Sequence, residues 1–297
     1  MGKIRIITMS KKIGILVIIF CFLVNFSCEK KQQNYESKLF ETPENLEPLN
    51  MIFVEGGDYI MFNSKVFDEF RKDKPPVKVY ISSFKMSSTE ITQGLYKEIM
   101  GKNPSEFAVN DNYPVDSVTW FNAIEFCNKL SERDGLEKCY LIKEEEVNCN
   151  FTANGYRLPT DAEWEFAASG GLKTHGFKYS GSNTFSEVSN AYSDRNQVYP
   201  SSEVAKFKPN ELGFYDMSGN LWEWCWDKYE FYWDFTYYPE IEKKDPKGPD
   251  NRYGEINERT LRGSDMINCG PLDSRTCCEP DKTTSSYGFR ICQSITK

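Results

Sequence analysis

The sequence predicts an α+β domain with little regular secondary structure, and three observations support that prediction. Near the start of the folded region, at 51–62 and 77–81, apolar residues occur in short runs typical of β-strands. Segments that follow Thr92, Thr119 and Thr160 instead repeat their apolar residues at helical spacing. In the second half of the chain both periodicities weaken, and glycine, proline, asparagine and aromatic residues become frequent. Side-chain packing therefore has to hold much of that half together.

The first strands are predicted where the folded region begins. Residues 51–54 and 59–62 are apolar runs, and Gly56 and Gly57 lie between them, as in a β-hairpin whose turn uses glycine. Residues 77–81 alternate apolar and polar side chains, which is typical of a strand with one buried face. We therefore expect a glycine-turn hairpin followed by a separate strand.

Three helices are predicted, and each begins after a threonine that can cap its first turn. The first follows Thr92 and ends at Gly101, and the second follows Thr119. The third has the clearest start, because Thr160 and Glu163 form a capping box in which each side chain accepts the other residue's amide. The apolar residues expected to face the core are Leu95, Tyr96, Ile99, Met100, Trp120, Ala123, Ile124, Cys127, Leu130, Trp164, Ala167 and Ala168.

The chain begins with the pattern of an export signal. Basic residues within 3–12 precede an apolar run at 13–26, which a serine and Cys28 follow. This order is typical of a secretory leader, and the apolar run is shorter than the roughly 20 residues of a membrane-spanning helix. Residues 23–28, LVNFSC, resemble the bacterial lipobox. The leader therefore predicts lipid attachment at Cys28, with ordinary secretion or a retained anchor as alternatives.

Three regions are predicted along the chain: a signal peptide over 1–28, a flexible tether over 29–47 and one folded domain over 48–297. The tether is polar, so it cannot bury enough apolar surface to become ordered. Loss of residues 1–27 removes four positive and no negative charges, which changes the formal net charge from −8 to −12. This negative charge argues against a nucleic-acid partner, because such binding needs clustered lysine and arginine.

Cysteine and histidine contents restrict the chemistry. Of ten cysteines, Cys21 lies in the leader and Cys28 at the lipid site, which leaves eight in the folded region. An exported protein uses such an even set for disulfides more often than for metal binding. The sequence has one histidine, His175, in a glycine-containing loop. Zinc and iron centres that need several histidines are disfavoured, and we expect His175 to be an exposed loop residue.

Four sequence blocks occur in a fixed order: RLPTDAEWEFAA at 157–168, LGFYDMSGNLWEW at 212–224, LRGS at 261–264 and GFR at 288–290. Together they resemble the signature of the formylglycine-generating, or sulfatase-modifying-factor, family. The resemblance runs from Met51 to Cys292 and includes the segment PVDSVTW at 114–120. It implies a C-type-lectin-like α+β fold with low regular secondary structure.

The resemblance also implies a copper site that can be checked residue by residue. Active members of the family oxidise a sulfatase cysteine to formylglycine, and they hold copper with two cysteines just after the Arg-Gly-Gly-Ser block. Here those positions fall on Ile267 and Leu272, and Cys269 is the one thiol between Gly263 and Arg275. A single thiolate cannot form the two-coordinate copper site, so we expect no catalytic cysteine pair. The alternative is a copper-dependent oxidase in which Cys269 is a displaced active thiol.

Other cysteines are interpreted as disulfide partners. By resemblance to the family, Cys127 is expected to bridge Cys292, and we also expect a bridge between Cys139 and Cys149. Cys277 and Cys278 are adjacent, which disfavours both sulfurs binding one metal. We expect these two to form separate disulfides.

Calcium is the second metal that the resemblance implies. Family members hold it with backbone carbonyls and side-chain oxygens at the Gly-Asn-x-Trp-Glu block, in keeping with the preference of calcium for oxygen ligands. The matching residues are Gly219, Asn220, Leu221 and Glu223. The alternative is that Asn220 and Glu223 only bond the surrounding loop.

An aromatic-rich segment follows the second signature block. It contains Tyr229, Tyr232 and Trp233 and is not part of the signature. Amphipathic rings are favoured at recognition surfaces and stack on sugar faces, so these three residues are a candidate binding patch. The alternative is that the rings pack an irregular loop.

The sequence as a whole predicts an exported lipoprotein of the bacterial cell envelope, anchored to a membrane by its lipid. Its sulfatase-modifying-factor-type domain is expected to be non-catalytic, and to bind a protein or glycan ligand or to serve in envelope assembly. The alternative is the copper-dependent oxidase that converts a sulfatase cysteine to formylglycine. Calcium is the expected cofactor, and copper is expected under the alternative only.

Overall fold

The structure is a computed structural model, and it describes residues 49–62, 77–144, 146–189, 201–229, 244–249, 257–265 and 270–295. Its helices are α1 (Gln93–Met100), α2 (Trp120–Arg133), α3 (Asp161–Ala168) and α4 (Phe185–Val188), with a 3-10 turn at Gly171–Lys173. Its strands are β1 (Met51–Val54), β2 (Gly57–Met61), β3 (Val77–Ile81), β4 (Phe84–Ser87), β5 (Tyr140–Lys143), β6 (Glu146–Cys149), β7 (Tyr156–Arg157), β8 (Trp222–Lys228), β9 (Arg259–Arg262), β10 (Arg275–Cys278), β11 (Tyr287–Gly288) and β12 (Cys292–Ser294).

The three predicted helices are confirmed, together with their threonine caps. Thr92 accepts the amide of Leu95 at 3.3 Å, and α1 ends at Gly101, whose φ of 75° suits glycine. α2 and α3 both begin with a capping box. In α3 the Thr160 hydroxyl accepts the amide of Glu163 at 3.1 Å, while the Glu163 carboxylate accepts the amide of Thr160 at 2.9 Å.

The first sheet joins the two ends of the described chain. Its strand order is β1-β4-β12-β7, and all neighbouring strands are antiparallel. β4 lies in the middle and pairs with β1 on one side and with β12 on the other. The first and the last strand therefore lie in one sheet on either side of β4, which local sequence patterns do not predict.

The predicted hairpin at 51–62 is wrong, although the strand at 77–81 is confirmed. β1 pairs with β4 and β2 pairs with β3, so the whole segment 51–61 lies antiparallel to 77–87. Gly56 does not form a turn. A Cβ atom there would lie 2.3 Å from the carbonyl oxygen of Ile81, so glycine allows the two segments to approach closely.

The second sheet has the strand order β10-β9-β8-β11. β9 is antiparallel to both β8 and β10, whereas β11 runs parallel to β8. Consequently β8, β10 and β11 all begin at the end of the sheet where β9 finishes. The signature residues at 222–224, 261–262 and 288 are brought to this region.

Two buried clusters support the sheets. One surrounds α1 and α2 and includes Trp120, Trp224 and Phe289; the other surrounds α3 and includes Trp164 and Phe166. The described residues all belong to one compact unit. Within the described ranges, no helix has the length and apolar character needed to cross a bilayer.

Candidate functional site

The polar residues of the first signature block form buried ion pairs. Arg157 on β7 binds Glu163 with two hydrogen bonds of 2.7 Å, one from each terminal nitrogen. Its side chain is 3% exposed, and the same guanidinium group contacts the hydroxyl of Ser294 on β12. This pair fixes the start of α3 against the first sheet, so these two charges support the fold.

Arg262, in the third signature block, pairs with acidic residues of α3. Arg262 on β9 donates to Asp161 and, at 2.6 Å, to Glu165. The Nε of Arg275 on β10 lies 2.7 Å from the Asp161 carboxylate. Burial alone would raise the pKa of Asp161, but the charges of Arg262 and Arg275 outweigh it and lower that pKa. Two strands of the second sheet are thus anchored to α3 by charge.

Asp227 is a buried acid that inspection of the sequence did not single out. Its carboxylate accepts the backbone amide of Asp161 at 2.8 Å. Burial, together with the nearby charge of Asp161, raises the pKa of Asp227 to about 8. The alternating pattern of β8 places its tryptophans on one face and Glu223, Cys225 and Asp227 on the other, and it is this second, more polar face that is fully buried.

The second and fourth signature blocks meet at one carboxylate. Arg290 donates to Glu223 through Nε at 2.6 Å and through Nη2 at 2.8 Å. The indole nitrogen of Trp164 donates to the same carboxylate at 2.7 Å. All three side chains are fully buried. Both oxygens of Glu223 are therefore engaged within the protein.

The other side-chain ligand expected for calcium is engaged too. The carbonyl oxygen of the Asn220 side chain accepts the amide of Ser202 at 2.9 Å, and its nitrogen donates to Glu90 at 3.2 Å. Gly219 and Leu221 belong to the same buried turn, in which Asn220 has a φ of 63°. The side chains of Asn220 and Glu223 are thus both bonded within the protein, and calcium at this block stays a prediction.

A cleft of about 610 Å³ opens at the end of the second sheet where β8, β10 and β11 begin. Its floor and walls are Trp222, Ser264, Asp265, Gly270, Pro271, Ser274, Arg275, Thr276, Thr284, Ser286 and Tyr287. Most of the polar groups are hydroxyls. Of the two charged residues, Arg275 is paired with Asp161, so the cleft is polar with little unpaired charge.

Of the two positions that match the family's copper ligands, the structure describes Leu272, which directly follows the cleft residues Gly270 and Pro271. Ile267 and Cys269 fall outside the described residues. Leu272 packs partly buried against the core cluster around α3, and its amide donates to the carbonyl of Lys178 at 2.9 Å. Among the described residues that line the cleft there is no cysteine.

Comparison with known proteins decides the family. The model of the sulfatase-modifying factor enzyme 1-like domain matches residues 36–295. The chain belongs to this family. It is 39% identical over 211 residues to the chaperone protein LppX of Paenibacillus barcinonensis, covering 60% of this chain and 71% of that protein. It is 29% identical over 191 residues to the formylglycine-generating enzyme of Thermomonospora curvata, covering 60% of this chain but 55% of the enzyme.

A solved structure confirms the fold class of this family member. Treponema denticola variable protein 1 superposes with a TM-score of 0.69 at 28% identity, covering 87% of this chain and 99% of that one. The α+β, C-type-lectin-like fold of the sulfatase-modifying-factor family is thus the fold of this chain.

Four cysteines of this family member lie around Arg157. Cys292 is the strand partner of Arg157, while Cys127 and Cys139 belong to one buried cluster against which Cys149 packs. Burial raises the pKa of Cys127 well above its usual range, and the neighbouring Cys139 and Cys149 add to the shift. All four are free thiols in this structure. The two bridges remain predictions about the oxidised protein.

Cys277 and Cys278 are adjacent on β10, where successive side chains point to opposite faces. Burial, followed by a hydrogen bond with Glu258, raises the pKa of Cys277 to about 12. Cys278 instead lies beside Tyr287, whose pKa burial and this thiol raise to about 12. The two sulfurs therefore face different surroundings; both are free thiols in this structure, and the separate disulfides stay a prediction.

The candidate aromatic patch needs a correction at Tyr229. Its side chain is 9% exposed, and its ring lies 4.7 Å from the guanidinium carbon of Arg275, so it packs inward. Tyr232 and Trp233 lie outside the described residues, as do the leader, Cys28 and the tether. His175 is exposed, as expected, with Nδ1 3.5 Å from Glu211.

Proposed function

We propose that this protein is a non-catalytic family member that binds a partner polypeptide in the cleft at the end of the second sheet. The lipid at Cys28 would hold it in the bacterial cell envelope. The observation that carries this proposal is the setting of Leu272, which stands where the resemblance requires a copper-binding cysteine. Its side chain packs against the core and cannot bind a metal.

The composition of the cleft supports binding in place of oxidation. Hydroxyls of Ser274, Thr276 and Thr284 can each donate and accept hydrogen bonds, which suits the amide groups of a polypeptide. The half-buried rings of Trp222 and Tyr287 offer apolar contact area beside them. Because Arg275 is neutralised by Asp161, a strongly charged ligand would find little electrostatic complement there.

A polypeptide is favoured over a glycan by one comparison. The 39% identical relative LppX is named a chaperone protein, which is a role that acts on other polypeptides. A glycan could also use the hydroxyls and the rings, so the experiment must separate the two ligand classes.

Photo-crosslinking in the cells that make the protein tests this proposal. A benzoylphenylalanine is placed at Thr284, an exposed residue of the cleft, in the full-length chain. The matched control is Lys143, an exposed residue of the β5–β6 hairpin that does not line the cleft. We expect a polypeptide adduct from position 284 and none from 143. An adduct that contains sugar without peptide, or no difference between the two positions, would overturn the polypeptide assignment.

A further inference from the structure

We infer that the guanidinium group of Arg259, stacked on Trp120 beside Trp226, is a second binding site of this protein, and that it binds the carboxylate of a ligand with an apolar body. None of these three residues lines the cleft described above. The inference is therefore independent of the proposed function.

Arg259 on β9 differs from the other arginines that the structure describes. Each of the others forms an ion pair with a carboxylate, whereas none of the described acids pairs with Arg259. Its Nη1 donates to the backbone carbonyl of Trp226 at 2.7 Å. Its cross-strand partner Lys228 is also a cation, and burial together with the charge of Arg259 lowers the pKa of Lys228. Within the described chain, the guanidinium of Arg259 thus lacks a paired carboxylate.

The open edge of this guanidinium has the geometry that binds a carboxylate. Its Nε and Nη2 have no hydrogen-bond partner among the described residues, and the half-buried side chain leaves both accessible to solvent. Arg290 uses the same two nitrogens to hold the two oxygens of Glu223, at 2.6 and 2.8 Å. Such parallel bonds are the strong, bidentate form of carboxylate recognition. A ligand carboxylate can therefore complete at Arg259 the pair that Glu223 completes at Arg290.

Aromatic rings hold Arg259 in place and offer apolar contact. Its Cζ lies 3.9 Å from the ring centroid of Trp120 and 5.2 Å from that of Trp226. Trp120 is fully buried and its indole nitrogen donates to the carbonyl of Cys225 at 2.9 Å, so the stack is fixed before a ligand arrives. Trp226 and Phe121 are partly buried, with ring centroids 5.6 and 5.5 Å from that of Trp120. Their exposed parts favour a ligand whose carboxylate is attached to an apolar group.

Burial leaves Arg259 charged but poorly compensated. It lowers the pKa of Arg259 to about 10, so the side chain is a cation at neutral pH. Asp227 is the described acid that offsets part of this shift, but its own pKa is raised to about 8 and its carboxylate accepts the amide of Asp161. A half-buried cation gains more from an added anion than an exposed one, because water screens it less. A ligand carboxylate should therefore bind at Arg259 in preference to solvated surface lysines.

Nuclear magnetic resonance of the full chain, with isotope-labelled tryptophan, tests the inference at neutral pH. The probes are phenylacetate, its neutral counterpart phenylacetamide and inorganic phosphate, and tryptophan-to-phenylalanine variants assign the indole signals. We expect phenylacetate to bind about tenfold or more tightly than either other probe. It should shift the signals of Trp120 and Trp226 and leave that of Trp222, in the cleft, unchanged.

A peptide identifies the source of the carboxylate. An acetylated tetrapeptide that ends in phenylalanine is titrated with a free and with an amidated C-terminus. Preference for the free peptide, with shifts at Trp120 and Trp226, would assign the site to a polypeptide terminus. Binding of phenylacetate alone would assign it to a small organic acid.

Two methionine variants locate the charge that is responsible. Arg259→Met keeps an unbranched side chain against Trp120 but removes the guanidinium, and should weaken phenylacetate binding to the level of phenylacetamide. Arg133→Met is the matched control and should change nothing, because the guanidinium of Arg133 is already paired with Glu98 and Asp134.

Equal binding of phenylacetate and phenylacetamide by the intact protein would overturn the inference, as would binding that Arg259→Met retains. Phosphate bound as tightly as phenylacetate would overturn the assignment to a carboxylate. A shift of the Trp222 signal alone would place the ligand in the cleft and contradict a second site. Should Arg259→Met not fold, the comparison of acid with amide still decides, because an arginine with a structural role only would not distinguish them.

Discussion

At the scale of single residues, the signature blocks form one another's ion pairs. Arg157 pairs with Glu163 within the first block, Arg262 of the third binds Asp161 of the first, and Arg290 of the fourth binds Glu223 of the second. The blocks are therefore strong indicators of the fold. The same blocks do not indicate whether the protein is an oxidase, because the copper-binding positions of active family members lie outside them.

Loss of one buried guanidinium should be costly. Arg262→Met would leave Glu165 buried without a cationic partner and would leave Asp161 with Arg275 alone, so we expect the free energy of unfolding to fall by about 3 to 5 kcal/mol. Lys129→Met is the control, because the exposed pair of Lys129 and Glu125 contributes only about 0.5 kcal/mol or less. Urea unfolding measures both. Equal effects of the two variants would show that the buried pair is unimportant.

Asp227 should make stability depend on pH. Its pKa is raised to about 8 in the folded protein, whereas an unfolded aspartate titrates near about 3.9. Between these values the folded state holds a proton that the unfolded state has released, so the contribution of Asp227 falls as pH rises. Asp227→Asn should therefore be the more stable protein at pH 8, by up to about 5 kcal/mol, and equal to the parent near pH 4.

Urea unfolding of both proteins from pH 4 to pH 8 measures that difference. The asparagine carbonyl can still accept the amide of Asp161, so the comparison isolates the charge. A constant difference across the pH range would mean that Asp227 does not titrate within it.

At the scale of elements, the helices could be predicted and the strand partners could not. Caps at Thr92, Thr119 and Thr160 are local signals, because a side chain and an amide three residues apart define them. Pairing of β1 with β4 depends on residues more than thirty positions apart, and no periodicity carries that information. The role of Gly56 could not be predicted for the same reason, since its close contacts are with Ile81 and the residues 82–83 that follow β3.

The cap of α3 gives a prediction with an internal control. Thr160→Ala removes the hydroxyl that accepts the Glu163 amide, and should lower the free energy of unfolding by about 1 to 2 kcal/mol. Thr184 precedes α4 but makes no side-chain cap bond, so Thr184→Ala should cost much less. Chemical denaturation compares the two. A larger loss at Thr184 would contradict the assignment of the caps.

At the scale of the whole molecule, the family could be predicted from four blocks, but the site could not. The cleft forms only when β8, β10 and β11 begin at one end of a sheet, and local periodicity carries no information about which strands pair. The pairs that Arg262 and Arg275 form with Asp161 and Glu165 of α3 could not be predicted, because the partners lie 97 to 114 residues apart in the sequence. The family resemblance gave the positions that would bind copper, and the structure shows that one of them, Leu272, packs against the core.

Export predicts a definite set of disulfides in the mature protein. Peptide mapping without reduction, on protein purified from an oxidising compartment, should recover Cys127 joined to Cys292 and Cys139 joined to Cys149. The four thiols surround Arg157, so alternative pairings are sterically close at hand. Recovery of Cys127 joined to Cys139 or Cys149, or of four free thiols, would contradict the predicted bridges.

The absence of a catalytic cysteine pair is the central claim, and one measurement tests it most directly. The mature protein, reduced and loaded with copper, is incubated with oxygen and a peptide that carries a Cys-x-Pro-x-Arg sequence, and mass spectrometry follows aldehyde formation. We predict no conversion above a copper-only control, for the intact protein and for Cys269→Ser alike. Robust conversion by the intact protein that Cys269→Ser abolishes would contradict the claim and establish the oxidase.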